Sequence, residues 1–123
     1  MAHLLENKLI RETQQGFMTG KSCTTNLITF FDKVTELLDR GKSADVIYLD
    51  FAKAFDKVPT RRLLAKLRAK GVTGAVYNWL ENWLTDRRQR VKVGQAKSSF
   101  SKVDSGVPQG SVLGPCLFIT YLY

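Results

Sequence analysis

The chain has 123 residues, of which 44% are hydrophobic and 11% aromatic; this suits one domain or part of a larger one and excludes a disordered tail. Nineteen Lys and Arg oppose 11 Asp and Glu, a formal net charge of +8, which favours an anionic partner such as nucleic acid or an acidic membrane surface. No apolar run reaches the ~20 residues of a transmembrane helix, and the N-terminus lacks the long apolar core of a secretory signal.

Residues 4–10 read as a short helix built on Leu4, Leu5, Leu9 and Ile10, and Gln14 to Lys21 as a glycine-punctuated loop. Ser22 or Thr24 caps a helix that runs to about Arg40 and ends at Gly41. Its residues Leu27, Phe31, Val34 and Leu38, flanked by Phe30 and Leu37, predict one buried face. Residues 45–50 predict a buried strand, because β-branched and aromatic residues run together there. Asp50 stands where the apolar run stops, Phe55 follows, and Asp56 comes next. Two readings stay open at this point. The plain one is a buried strand ending in a solvated turn with two ordinary acids. The other places a metal-binding carboxylate at a rigid strand end.

A turn over Asp56–Thr60 leads to a helix at about 60–70. Leu63, Leu64 and Leu67 face inward; Arg61, Arg62, Lys66, Arg68 and Lys70 face outward; Gly71 ends it. Thr73 or Gly74 starts a third helix with Val76, Trp79, Leu80, Trp83 and Leu84 on one side. Val91–Val93, Gly94 and Lys97–Val103 predict a hairpin. Ser105–Gly110 is a loop, since Gly and Pro at this density exclude regular structure. Ser111 caps a final helix, in which Pro115 is tolerable only near the first turn. Cys116–Tyr123 is strongly apolar and stops without a cap or polar tail, so the chain is expected to be cut short.

Several candidate sites fall away on inspection. Gly16–Ser22 imitates a phosphate-binding P-loop but has three residues between its glycines where four are needed, and a polar stretch precedes it. Lys21, next to a helix start, keeps two readings: a phosphate contact or a solvated lysine. His3 is the single histidine and has no partner in view, so a Ser-His-Asp or Cys-His mechanism and a zinc site are not expected. Cys23 and Cys116 are far apart and read as two reduced thiols of an intracellular protein, nuclear or cytoplasmic. Trp79 and Trp83, one helical turn apart, read as core. The run Arg87-Arg88-Gln89-Arg90-Val91-Lys92 suits phosphate contacts on so basic a chain, beside the plain reading of a solvated hairpin shoulder.

Asp50, Phe55 and the Gly-Pro-Gln-Gly loop remain. A carboxylate at a strand end with such a loop suits phosphoryl transfer by two divalent ions, and hard carboxylate oxygens suit Mg²⁺. Asp56 lies six residues on and need not point at the same ions.

At these residues the sequence becomes recognisable. Tyr48-Leu49-Asp50-Phe51-Ala52-Lys53-Ala54-Phe55-Asp56-Lys57-Val58-Pro59 and Ser105-Gly106-Val107-Pro108-Gln109-Gly110-Ser111-Val112-Leu113-Gly114-Pro115 closely resemble the reverse transcriptase domain of non-LTR (LINE-type, jockey-like) retrotransposons. Gln15-Gly16-Phe17, Lys21-Ser22-Cys23 and Trp83 to Val91 fit the same family. The resemblance implies an α+β fold: a partial right-hand polymerase palm with part of the fingers, its helices packed on a small incomplete antiparallel sheet. On that reading 1–123 is one partial domain. About 1–45 and parts of 57–104 are fingers and palm helices; 46–56 and 105–123 are palm motifs. It implies RNA-directed DNA polymerisation with an RNA template, a DNA primer, deoxynucleoside triphosphates and Mg²⁺, and no membrane partner. Asp50 is then the catalytic, metal-binding aspartate, assisted by the backbone carbonyl of Phe51. Phe55 screens the 2′ position of the incoming sugar, and Pro108, Gln109 and Gly110 contact the nucleotide. Lys21, Arg87, Arg88 and Arg90 are the candidate nucleic-acid contacts.

Two departures stand out. Met18 occupies a position where the family usually has Arg, and the aromatic-x-Asp-Asp motif that supplies the other catalytic aspartates is expected just beyond Tyr123. As a chain by itself this sequence is therefore expected to lack polymerase activity. The alternative reading is a non-enzymatic module that binds nucleic acid or a partner.

Overall fold

The computed structural model describes all 123 residues, in the order α1 (Ala2–Glu6), α2 (Cys23–Asp39), α3 (Thr60–Ala69), α4 (Gly74–Leu84), β1 (Arg87–Gln89), β2 (Lys92–Val93), β3 (Ala96–Lys97), β4 (Ser101–Val103) and α5 (Leu113–Leu122). They sort into two units: residues 11–52, and residues 1–10 with 53–123. The mixture of helices with small antiparallel ladders is α+β. No helix is long and apolar enough to cross a membrane.

In the unit of residues 11–52, Ser22 rather than Thr24 starts α2. Its hydroxyl accepts from the Thr25 amide at 3.1 Å, and the Thr25 hydroxyl accepts from the Ser22 amide at 2.8 Å. This reciprocal box satisfies two amides that have no partner within the helix. Gly41, at φ +68°, closes the other end. The helix forms as its periodicity predicts, but its apolar face is not buried: Leu27, Phe31 and Leu38 are all more than half exposed. The expected strand at 45–50 is also absent. Residues 42–51 form no regular structure, and Ile47, Tyr48 and Leu49 are 83%, 82% and 92% exposed. Strand preference is a preference for a pleated, half-covered setting, and a strand exists only where a neighbour pairs with its amides and carbonyls. Neither ladder of the structure includes residues 42–51.

The other unit has the core. α3 packs against both α4 and α5. Leu63, Leu64 and Leu67 from α3 meet Tyr77, Leu80 and Leu84 from α4, Leu117 from α5, and the loop residues Val58 and Val107. No strand residue belongs to this cluster, so the core lies among helices and not between helices and a sheet as expected. Burying each such side chain stabilises the fold by roughly 1.5–3 kcal/mol.

Several side chains depart from their expected places. α1 is shorter than predicted, yet Ile10 is still buried, and the His3 ring bonds the Lys70 carbonyl at 2.8 Å. Lys66 and Lys70 are half-buried where full exposure was expected; they donate to the carbonyls of Tyr121 and Leu9. In α4 the inward face is centred on Tyr77, Leu80 and Leu84. Trp83 packs against the core, but Trp79 is 52% exposed and stacks on Trp83 with ring centroids 5.5 Å apart. Arg68 covers the Tyr77 ring at 4.5 Å.

The predicted hairpin is longer than its sequence signal. Arg87–Gln89 pairs antiparallel with Ser101–Val103, and inside it Lys92–Val93 pairs with Ala96–Lys97. Gly94 at φ +58° supplies the tight turn. α5 begins at Leu113, and Pro115 sits in its first turn, where a missing amide costs nothing. Val112 takes the N-cap position in place of the expected Ser111, whose hydroxyl nonetheless accepts from the Gly114 amide at 2.9 Å.

Candidate functional site

In sequence the segment around Phe55 and the loop 105–110 are some fifty residues apart; in the structure they are docked. The Val107 amide donates to the Phe55 carbonyl at 2.8 Å, and the Gly106 amide donates to the Val58 carbonyl at 2.8 Å. The Ser105 hydroxyl donates to the Asp56 carbonyl at 2.8 Å, and the Gln109 side-chain amide reaches the Asp56 carboxylate at 3.3 Å. Gly106 is what permits this approach. It sits at φ +89°, and a Cβ there would lie 2.8 Å from the Phe55 carbonyl oxygen and 2.9 Å from Asp56 Cα. Only glycine combines that φ with so close a backbone contact.

Arg87 holds the loop from the other side. Its guanidinium donates to the carbonyls of Leu84, Ser105 and Gly106, joining the end of α4 to the loop. Burial pushes its pKa below the usual arginine value; the carbonyl dipoles stand where a carboxylate partner would otherwise be needed. The sequence offered Arg87 as a phosphate contact. In the structure it braces the loop, whereas Arg88 and Arg90 stay exposed. No spacing rule in the sequence distinguishes the three, because only the fold determines which one meets the carbonyls.

A cleft of about 500 Å³ opens beside the docked loop, lined by Asp56, Arg87, Arg88, Gln89, Val103 and residues 105–109. That volume lies within the roughly 300–1,000 Å³ range of small-molecule sites. With Arg87 and Arg88 against Asp56, its lining favours an anion. Pro108 and Gln109 line the cleft; Gly110 is exposed at φ +74°. Phe55 is half-buried, and its ring meets Phe118 edge-on with centroids 5.0 Å apart, which fixes its direction. Ser111 and Gly114, both missed as site residues, secure the far end of the loop. The Ser111 hydroxyl donates to the Pro108 carbonyl at 2.7 Å, and a Cβ on Gly114 would lie 2.8 Å from that same oxygen.

Asp50 and Phe51 belong to the unit of residues 11–52, on its exposed irregular segment, and Lys21 is exposed just ahead of α2. Nowhere in the chain do three or more His, Cys, Asp or Glu side chains gather as metal ligands.

Comparison with known proteins agrees with the sequence motifs. The chain is 30% identical to the probable RNA-directed DNA polymerase from transposon BS of Drosophila melanogaster, over 96% of this chain and 13% of that protein. It is 32% identical to the RNA-directed DNA polymerase from mobile element jockey of the same species, over 93% of this chain and 12% of that protein. For the probable RNA-directed DNA polymerase from transposon X-element the figures are 32%, 89% and 12%. The chain thus spans about an eighth of the length of these relatives. No solved structure matches it significantly. The family model described as reverse transcriptase (RNA-dependent DNA polymerase) matches residues 1–123. The chain belongs to that family and is homologous to the reverse transcriptases of non-LTR retrotransposons.

Proposed function

We propose that this chain is a segment of an RNA-directed DNA polymerase that contributes one catalytic carboxylate and the nucleotide-facing loop. It covers part of the fingers and most of the palm, with 46–56 and 105–123 as the palm motifs. Asp50 ligates Mg²⁺ with help from the Phe51 carbonyl. Phe55 excludes a 2′-hydroxyl from the incoming sugar, and Pro108, Gln109 and Gly110 contact the nucleotide. An RNA template, a DNA primer and deoxynucleoside triphosphates are the partners, with Lys21, Arg88 and Arg90 at phosphates.

The observation that supports this most is the docking of residues 55–58 onto 105–107 through three bonds of 2.8 Å. A ring can reject a hydroxyl by steric exclusion only if it cannot swing away, and Phe55 is held by Phe118 on one side and by its backbone bond to Val107 on the other. A loop held by backbone bonds likewise presents Gln109 in one place, as positioning a substrate requires.

The 123 residues alone do not polymerise on this account, because one exposed carboxylate cannot clamp both the attacking and the leaving oxygens. The experiment is primer extension: purified chain, an RNA template annealed to a DNA primer, deoxynucleoside triphosphates and Mg²⁺. No extension is expected. Extension that disappears in Asp50→Ala would overturn the claim of inactivity and support Asp50 as catalytic.

The second reading, a binding module without chemistry, is favoured by the basic ribbon of β1 to β4. Salt-sensitive binding to an RNA–DNA hybrid without extension supports it.

A further inference from the structure

The apolar stripe of α2 has a spacing that reads the same in both directions. Leu27, Phe31, Val34 and Leu38 follow one another at four, three and four residues. At 3.6 residues per turn all four fall within about 60° of one another around the helix. Leu27, Phe31 and Leu38 are 55%, 59% and 58% exposed. Tyr48 stands beside Phe30 on the flank of the stripe, ring centroids 6.5 Å apart, and its neighbours Ile47 and Leu49 are exposed as well. A contiguous apolar patch of this kind marks an interaction surface.

Charge decides what fits it. Helices that lie on membranes present Lys and Arg opposite their apolar face. The polar side of α2 has three acids, Asp32, Glu36 and Asp39, and one base, Lys33. The same acids repel a polyanion. Residues 11–52 have five basic and six acidic side chains, out of 19 and 11 in the whole chain, so the net charge of +8 lies outside this unit. Two copies that meet through α2 therefore bring together nearly neutral surfaces. The uncharged face of α4 with Val76 and Trp79 is also exposed, but it belongs to the strongly basic unit, where a second copy is repelled.

We propose that α2 pairs two copies of this chain into an antiparallel dimer with a twofold axis between Asp32 and Lys33. In that register Leu27 meets the partner's Leu38 and Phe31 meets the partner's Val34, and the twofold repeats both pairs. Large residues then face small ones in the middle layers, and the helix axes stay evenly spaced. Parallel pairing would stack Phe31 on Phe31 and Val34 on Val34, a swollen layer next to a thin one, with the two macrodipoles side by side and unfavourable. The patch engages fewer than the roughly 20–30 residues a side of a standard interface, so the dimer is weak, with a dissociation constant on the order of 10–100 µM.

Sedimentation equilibrium of the 123-residue chain from about 1 to 200 µM reads the pairing. A monomer–dimer equilibrium is expected, with mostly monomer at low-micromolar concentration. Phe31→Val leaves two layers underfilled and Val34→Phe overfills two; each should weaken the dimer about tenfold. The double variant restores the match in reverse and should lie within about threefold of the wild type. Orientation is read by oxidation in a background with Cys23→Ser and Cys116→Ser. Chains with Leu27→Cys and chains with Leu38→Cys should form disulfide dimers when mixed and few when alone. Disulfide dimers from either variant alone would show parallel pairing and overturn the proposal. So would a chain that stays monomeric at about 200 µM, or association that Val34→Phe strengthens, the behaviour of a merely sticky surface. A monomer that binds vesicles of anionic lipid, and stops doing so on Phe31→Ser, would assign the face to a membrane and overturn it too. The pairing is independent of the polymerase reading, which primer extension tests separately.

Discussion

Gly106→Ala is the substitution from which the docked site makes its sharpest prediction. The residue sits at φ +89°, a conformation that costs an L-residue about 1–2 kcal/mol. Its new Cβ would lie 2.8 Å from the Phe55 carbonyl oxygen and 2.9 Å from both Asp56 Cα and the Asp56 carbonyl oxygen. These are backbone atoms and cannot rotate away, so relief requires the loop to lift and lengthen its bonds to Phe55 and Val58. Overpacking of this kind adds about 1–3 kcal/mol, for a total of about 2–5 kcal/mol. Gly110→Ala is the matched control. It too has a positive φ, +74°, but no atom lies within 4 Å of its built Cβ, so only the conformational cost of about 1–2 kcal/mol applies. Urea unfolding followed by the fluorescence of Trp79 and Trp83 measures both. The difference between the two variants reports the docking contact. Equal destabilisation by the two substitutions would refute the reasoning.

Other outcomes follow from the same geometry. Arg87→Met removes three donated bonds and should destabilise the chain by about 2–4 kcal/mol, whereas Arg88→Met should stay within about 0.5 kcal/mol; thermal unfolding distinguishes them. Leu63→Ala, at a site with no exposed surface, should cost about 2–5 kcal/mol in the same assay. Ser22→Ala breaks the capping box and should cost about 1 kcal/mol, seen as reduced helical circular dichroism with earlier melting. Phe31→Ser, on the exposed face of α2, should leave the melting midpoint almost unchanged and reduce self-association in sedimentation.

What the sequence made legible was local. The start of α2, the inward leucines of α3, the Gly41 and Gly71 stops and the irregular loop at 105–110 each rest on rules that act within a turn or two of chain. What it left hidden was mutual. Residues 45–50 have strand composition but join no ladder, and the stripe on α2 has the right period yet keeps Leu27, Phe31 and Leu38 more than half exposed. Periodicity reports that a face is apolar, not what covers it. On α4 the expected Leu80, Trp83 and Leu84 do pack inward, while Tyr77, outside the expected set, joins them and Val76 and Trp79 stay exposed, because the packing of α4 on α3 decides which flank of the face is covered. Of the site, the two motifs and their residues were visible from the resemblance. The bonds of Ser105 and Gln109 to Asp56 and of Gly106 to Val58 were not, because a hydrogen bond across fifty residues leaves no periodic trace. Arg87 shows the limit most clearly: three arginines in one short run look alike in sequence, and the fold commits one of them to carbonyls.

The most direct test of the docked site is amide hydrogen exchange at Gly106 and Val107 in the 123-residue chain. The bonds to Val58 and Phe55 predict slow exchange at both, lost together with the amides of α3 as urea is raised. Exchange at the rate of an open loop while α3 remains protected would contradict the docking on which the proposed site depends.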